Sequence, residues 1–489
     1  MGCVMIDSPL LERTEGFIGG RWTAGDSGKR FSVLNPATGE ELAQCPVMGA
    51  EETTAAIEAG KKALRLTPPF SIDQRRQWLE GVRDALKAEK REIGRILCLE
   101  HGKPLKEAEG EVDYAASFFD YCARYVDQLA PHTIPEKPKD CEWTVHYQPI
   151  GVVGLITPWN FPIGMIAKKL SAALAAGCPS VIKPAEDTPL TMIAAFQAIS
   201  RHADLPDGMI NLVMGPPKPI GDVLCEHPDV PMLSFTGSTG VGQHLIRATA
   251  DRVKKLSLEL GGNAPFIVFD DADVDSAVEQ LIANKFRGGG QTCVCTNRLY
   301  VQAGIAGEFA DKLAARVSAL RVGDGMDEGT DIGPLINQAG FDKVRRHVSD
   351  ALAKGGTLLA GTHPDELPES GSLFYPPTLV TGVMPDMACC HEETFGPLIP
   401  MATFETEEAV LQAANDTDFG LASYLFTADK ARAERMISAL RFGHVGWNTG
   451  TGPTPEAPFG GFKLSGIGRE GGVEGLFEFV EPQTVPRGS

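Results

Sequence analysis

Between residues 149 and 270, short apolar runs alternate with helical stretches, each closed by glycine or proline. This alternation restricts what the chain can fold into more than any other feature. Gly151-Val152-Val153-Gly154-Leu155-Ile156 is an apolar run bounded by turn residues, as in a strand buried on both faces. The Ala- and Leu-rich stretch from Ile163 to Ala176 reads as a helix that Gly177 stops. A strand at Ser180-Val181-Ile182-Lys183 is closed by Pro184, and a helix follows from Thr188 to Ala203. Met209 to Met214 reads as a strand, Ile220 to Glu226 as a helix and Leu233-Ser234-Phe235 as a strand; after a glycine turn come a helix from Val241 to Ala250 and a strand from Lys255 to Leu258. Such a series predicts a parallel sheet with helices on both faces, which binds ligands beyond the carboxyl ends of its strands. A second α/β series begins at Pro265-Phe266-Ile267-Val268-Phe269 and runs to about residue 460.

Two segments fall outside the alternation. Pro131 to Ile150 reads as a hairpin-like arm, and Leu476 to Val485 as a strand near the end of the chain. A lone hairpin is marginally stable and its bare edge seeks a partner, so both segments predict contacts in a homo-oligomer, a dimer or a tetramer.

With 489 residues there is ample material for large cores. The formal charge of −19 repels phosphate backbones, which argues against a nucleic-acid partner. No apolar run approaches the 18 residues of a membrane span, and the first residues lack the basic and apolar regions of a signal peptide. Eleven scattered cysteines do not form a disulfide framework and fit a reducing, cytoplasmic setting. No C-x-x-C or H-E-x-x-H spacing is present, so no metal site is expected.

Three local patterns carry chemistry. In Gly288-Gly289-Gly290-Gln291-Thr292-Cys293, glycines able to take positive φ present a cysteine whose thiolate would be a strong nucleophile. Most cysteines are packing residues, and that is the competing reading. Leu258-Glu259-Leu260-Gly261-Gly262-Asn263 sets a carboxylate between leucines, which raises its pKa toward the range of a general base; an outward-facing strand residue is the alternative. Thr157-Pro158-Trp159-Asn160-Phe161-Pro162 fixes the backbone with two prolines and aims an amide, either at an oxyanion or at the next helix as a cap.

Taken together, T-P-W-N-F-P, K-P-A-E-D-T-P (183–189), F-T-G-S-T-G-V-G (235–242), L-E-L-G-G-N, G-Q-T-C, E-E-T-F-G-P (392–397) and P-F-G-G (458–461) resemble the aldehyde dehydrogenase superfamily over nearly the whole chain. Glu259 and Cys293 stand 34 positions apart, as that resemblance requires. It implies NAD(P)-dependent oxidation of an aldehyde to a carboxylic acid. Cys293 adds to the aldehyde carbon, Asn160 and the Cys293 N–H hold the oxyanion, and Glu259 activates the water that hydrolyses a thioester. Branches that pass the acyl group to coenzyme A lack that base. The implied fold is two doubly wound, Rossmann-like parallel-sheet domains and a small β arm. Residues 1–130 with 150–261 form a cofactor domain, 262–472 a catalytic domain, and 131–149 with 473–489 the oligomerisation arm and tail.

The cofactor is not announced by a G-x-G-x-x-G or a P-loop, neither of which is present in the usual place. Gly237-Ser238-Thr239-Gly240 instead leads from a strand into a helix start, where a pyrophosphate can sit. The resemblance adds Trp159 and Leu260 beside this groove, Lys183 and Glu186 at the adenosine ribose, and Glu393 and Phe395 at the nicotinamide ribose and ring. A carboxylate at Glu186 repels a 2′-phosphate, so NAD is expected over NADP.

Gly102-Lys103-Pro104-Leu105, Cys293-Val294-Cys295 and Phe462-Lys463-Leu464-Ser465-Gly466 resemble the succinate-semialdehyde branch. Arg287 matches one of its two clamp arginines, and Lys168 stands where the second arginine usually lies. Lysine does not replace arginine at a bidentate carboxylate site, and the loop Thr449–Thr454, which is expected to line the entrance, also departs from the branch. A dehydrogenase of neutral aliphatic or aromatic aldehydes is therefore the first alternative, and a non-catalytic protein that keeps the fold is the second. Cys295 is a redox candidate: in an extended strand, positions i and i+2 lie about 6.6 Å apart, near the upper limit for a disulfide with Cys293.

Overall fold

The expected alternation closes into a sheet of eight strands. The computed structural model describes residues 6–65, 70–136 and 140–488. Five parallel strands stand in the spatial order Ile210–Leu212, Ser180–Lys183, Val153–Ile156, Met232–Thr236 and Lys255–Glu259. Gly16–Ile18 and Arg21–Thr23 extend one edge antiparallel, and Gly466–Ile467 extends the other. The chain starts at the centre, moves to one side, then crosses to the other. Its switch point lies between Val153–Ile156 and Met232–Thr236, where the crevice of such a sheet opens. The helix Pro162–Ala176 begins with proline at its first turn and is buried along its whole length. Gly177 ends it in the left-handed region at φ 83°.

A second sheet of seven strands runs Thr357–Ala360, Thr378–Thr381, Leu398–Phe404, Thr296–Gln302, Ala264–Val268, Ala422–Phe426 and His444–Trp447. All but its antiparallel edge strand Thr357–Ala360 are parallel. Only Leu260 to Asn263 separates the last parallel strand of the first sheet from the first strand of the second. The carboxyl end of Lys255–Glu259 therefore meets the amino ends of Ala264–Val268 and Thr296–Gln302, and the turn that carries Cys293 lies there. The mixed α/β architecture with two Rossmann-like sheets agrees with the expected fold class.

The arm and tail form a third sheet. Cys141–Pro149 pairs antiparallel with Val480–Gly488 over its full length, and His132–Thr133 lies on its other side. Residues 137–139 of the expected arm lie outside the described residues. The tail strand starts at Val480 rather than Leu476, because Gly472–Phe477 is helical. Leu476 is buried in the core around Pro162–Ala176, and that burial outweighs its strand propensity.

Candidate active site

The turn before Thr296–Gln302 is built as its glycines predict. Gly288, Gly289 and Gly290 have φ of 58°, 67° and 77°. A Cβ on Gly290 would stand 2.4 Å from the Gly396 carbonyl oxygen, so only glycine fits there. The Gln291 side chain locks the turn, donating to Gly288 O at 3.1 Å and accepting from Ile336 N at 3.0 Å. Cys293 is thereby held, partly exposed, at the wall of a cleft of about 340 Å³.

That cleft brings together Trp159, Asn160, Gly237, Ser238, Leu260, Cys293, Glu393 and Phe395. Trp159 and Asn160 follow the Val153–Ile156 strand and Gly237 and Ser238 follow Met232–Thr236, so they flank the switch point. Ser238 caps the helix Thr239–Thr249 by accepting from Val241 N. Its first turn therefore points unbonded N–H groups and the positive end of its dipole at the cleft. Phe395 takes φ 55° and meets Trp159 edge to face at 5.5 Å. Glu393 accepts from Gly262 N at 2.9 Å, and burial pushes its carboxyl up to about 7.

Asn160 is buried, its Nδ2 donating to Gln291 O at 2.9 Å while its Oδ1 has no partner among the described residues. Glu259 is 3% exposed, and both its carboxylate oxygens are without a partner among the described residues. Burial, and then the nearby Glu470 carboxyl, raise it well above the ordinary range, against the pull of Lys168, Lys169 and Arg469. Glu470 itself is held by Lys169 and lies 3.9 Å from Lys168. Burial pushes the Cys293 thiol up to about 12; Lys168 draws it down, and Glu393 and Glu259 push it further up.

Behind Cys293 a smaller cavity is lined by Tyr114, Phe161, Lys168, Arg287 and Phe459 among others. Arg287 lies over the Phe161 ring at 4.6 Å and makes no ion pair among the described residues. It also borders two neighbouring cavities lined by Gly450, Thr451, Gly452 and Pro453, so part of the 449–454 loop lies beside Arg287. Lys168 is buried in this cavity, 4.5 Å from the Phe459 ring centroid and turned to Glu470.

Three expected residues lie elsewhere. Lys183 donates to Glu186 at 2.9 Å and to Pro184 O at 2.9 Å, and neither it nor Glu186 lines the cleft. Cys295 corrects the extended-strand geometry: Cys293 to Cys295 form a turn closed by Cys295 N donating to Thr292 O at 3.3 Å. The Cys295 thiol is buried, donating to Gly290 O at 3.3 Å with the Lys285 ammonium at 3.8 Å, and both cysteines are unpaired.

Sequence reasoning missed Asn337, Gly340 and Lys343, which line the cleft. They lie at and just inside the start of the helix Gln338–Ala353, which Asn337 caps. The cap was readable as a helix start, but not its place at the cleft. Gly262 was quoted only as part of a motif, yet a Cβ there would stand 2.3 Å from the Cys293 carbonyl oxygen. Gly262→Ala must push the Cys293 backbone aside. A shift of about 1 Å can cost on the order of 100-fold in rate, so a folded Gly262→Ala protein is expected to lose at least tenfold in kcat. Unchanged kcat would show that this contact does not set the thiol's position.

Comparison with known proteins accords with this geometry. The model of the aldehyde dehydrogenase family matches residues 22–485. The NADP+ succinate-semialdehyde dehydrogenase of Escherichia coli (strain K12) is 46% identical, over 97% of this chain and 98% of its own. The 3-sulfolactaldehyde dehydrogenase of Pseudomonas putida is 45% identical over 98% of each. A crystal structure of an oxidoreductase from Marinobacter aquaeolei superposes with a TM-score of 0.97 at 68% identity, covering 99% of this chain and 100% of that one. The E. coli relative corrects the expectation that NAD is preferred over NADP: a chain this similar is named for NADP+. The physical reason is in the Lys183–Glu186 ion pair. The Glu186 carboxylate is neutralised by an adjacent ammonium and half-exposed, so it is not the bare charge that repels a 2′-phosphate. The protein is an oxidoreductase that acts on aldehydes, and the chain belongs to the aldehyde dehydrogenase family.

Proposed function

We propose that this enzyme oxidises a semialdehyde with a distal anionic group to the acid, through a thiohemiacetal and a thioester on Cys293. The observation that carries this is Arg287, a cation in the cavity behind the thiol with no ion-pair partner among the described residues. Cys293, partly exposed to the cleft, releases its thiol proton to solvent against the upward push of burial, with Lys168 drawing its pKa down, and adds as thiolate to the carbonyl carbon. The Asn160 amide and the Cys293 backbone N–H receive the oxyanion, and Asn160 Nδ2 is already within reach of the turn that carries the thiol. Glu259 accepts a proton from the water that opens the thioester. Its unpartnered oxygens and raised pKa suit a group that must take a proton at neutral pH.

A nicotinamide dinucleotide fits the cleft, for which Gly237, Ser238 and the following helix start offer an anion site, Trp159, Leu260 and Phe395 apolar walls, and Glu393 a carboxyl. Lys183 and Glu186 are assigned to its adenosine ribose. When bound, it supplies the two-electron acceptor. The residue ranges 1–130 with 150–261, 262–472, and 131–149 with 473–489 are assigned to cofactor, nucleophile and homo-oligomer contacts respectively. The exposed residues of the Cys141–Pro149 and Val480–Gly488 pair support the last. The ten unpaired cysteines among the described residues support a cytoplasmic setting.

The two relatives named above act on aldehydes that carry a second acid group, which fits a cation at Arg287 with Lys168 behind it. A hydrogen bond to a charged group contributes about 1.5–3 kcal/mol. Arg287→Ala is therefore expected to lower kcat/KM for succinate semialdehyde roughly 10- to 100-fold and to leave butanal nearly unaffected. Equal losses on both aldehydes would favour the neutral-aldehyde alternative.

A further inference from the structure

The helix Leu105–Tyr125 carries none of the groups assigned to the reaction, yet it reaches both halves of the site. Glu107 and Glu111 lie one turn apart on the same face. Glu111 is 3% exposed. Its Oε1 accepts from Ile163 N at 3.1 Å and Gly164 N at 3.0 Å, the free N–H groups that open the helix after Asn160. Its Oε2 accepts from Lys103 Nζ at 2.6 Å. Lys103 Nζ also donates to the Asn160 backbone oxygen at 2.8 Å and lies over the Phe161 ring at 4.0 Å. On the other side, Glu107 Oε2 accepts from Gly288 N at 2.8 Å, in the glycine turn that presents Cys293.

The base of this arrangement is fixed. Leu105 N donates to Gly325 O at 2.9 Å. A Cβ on Gly333 would stand 1.8 Å from Gly102 O, and one on Gly325 would stand 2.4 Å from Lys103 O, so the 102–105 segment is clasped between backbones. A buried Lys–Glu pair adds little net stability over an apolar pair of the same volume. What an apolar pair cannot supply is directed hydrogen bonds to the Asn160 segment.

We infer that Lys103, Glu107 and Glu111 are positioning residues that hold the Asn160 amide and the Cys293 turn at a fixed separation. This rests on the assignment of Asn160 as oxyanion donor and Cys293 as nucleophile. An oxyanion donor acts only once charge develops, so loosening it lowers kcat and leaves the aldehyde KM nearly unchanged.

The test is a double-mutant cycle. Lys103→Met/Glu111→Gln removes the ion pair without stranding a charge and keeps an acceptor for Ile163 N and Gly164 N. It is made in the parent protein and in Asn160→Ala, with kcat, aldehyde KM, cofactor affinity and thermal unfolding measured. In the parent, kcat should fall about 10- to 100-fold with KM within twofold and cofactor affinity unchanged. In Asn160→Ala, itself reduced about 10²- to 10³-fold, the pair should cause no further loss. Glu107→Ala, at a half-buried position away from the ion pair, should lower kcat by itself; it keeps the test decisive if the paired variant does not fold. Equal losses in both backgrounds mean independent action and overturn the inference, as does unchanged kcat in folded Glu107→Ala. If Asn160→Ala keeps full kcat, the oxyanion assignment itself fails and takes the inference with it.

Discussion

Cys293→Ala is expected to eliminate aldehyde oxidation while leaving the fold in place. The residue is partly exposed at the cleft, and its side chain takes no essential part in the surrounding hydrogen bonds. Gln291, Asn160 and the three positive-φ glycines hold the turn through other groups. Truncation should therefore change stability by less than about 1 kcal/mol. The chemistry has no substitute. Cys295 is buried with its thiol donating to Gly290 O and lines neither the cleft nor the cavity behind Cys293, so it cannot take over. Loss of a covalent nucleophile removes the acyl-enzyme route altogether, a fall in kcat on the order of 10⁴-fold or more. The measurement is the rate of reduced-cofactor formation with an aldehyde panel, beside thermal unfolding. Rates within tenfold of the parent in a folded Cys293→Ala protein would remove the thiol from the mechanism.

Glu259→Gln is expected to separate the two halves of the reaction. Without a group to take the proton from water, hydrolysis slows by roughly 10²- to 10⁴-fold. Reduced cofactor should then appear as a burst of about one equivalent per active site, followed by a slow steady rate. The same substitution should raise stability. Glu259 is buried with no hydrogen-bond partner among the described residues, and its folded pKa lies well above its unfolded one. For a carboxyl raised in this way the unfolded chain ionises first. Stability is thus full below the ordinary value of about 4.3 and falls as pH rises from there toward the folded pKa. Glutamine does not titrate, so the melting temperature of Glu259→Gln should exceed the parent's by a margin that grows from pH 5 to pH 8. A margin that shrinks over that range would mean that Glu259 is ionised and satisfied in the folded protein.

The parallel sheet was legible because each strand is a short apolar run with a glycine or proline at its end. The helix stop at Gly177 and the positive φ of Gly288 to Gly290 followed from local conformational limits alone. The residues proposed for catalysis stood out through motif order, since each segment taken singly also had a packing reading. Long-range partners stayed hidden. Lys168 reads as a candidate clamp for a substrate carboxylate, but the fold brings Glu470, about 300 positions later, within 3.9 Å of its ammonium. Glu186 reads as a bare carboxylate although its partner Lys183 is only three residues away, because spacing does not show which way a side chain turns. The expected Cys293–Cys295 geometry failed for a related reason: it assumed a strand where the hydrogen bond to Thr292 makes a turn. Lys103 enters the sequence reading only within the Gly102–Leu105 motif and Glu111 not at all, yet both are buried against the segment that carries Asn160.

The most direct test of the thiol's role is mass spectrometry of Glu259→Gln quenched by acid during turnover of succinate semialdehyde. Because deacylation is the slowed step, the peptide that contains Cys293 should carry one acyl group, with its appearance matching the burst of reduced cofactor. A burst with no adduct on that peptide, or fragmentation that places the acyl group on Cys295 instead, would contradict acyl transfer through Cys293.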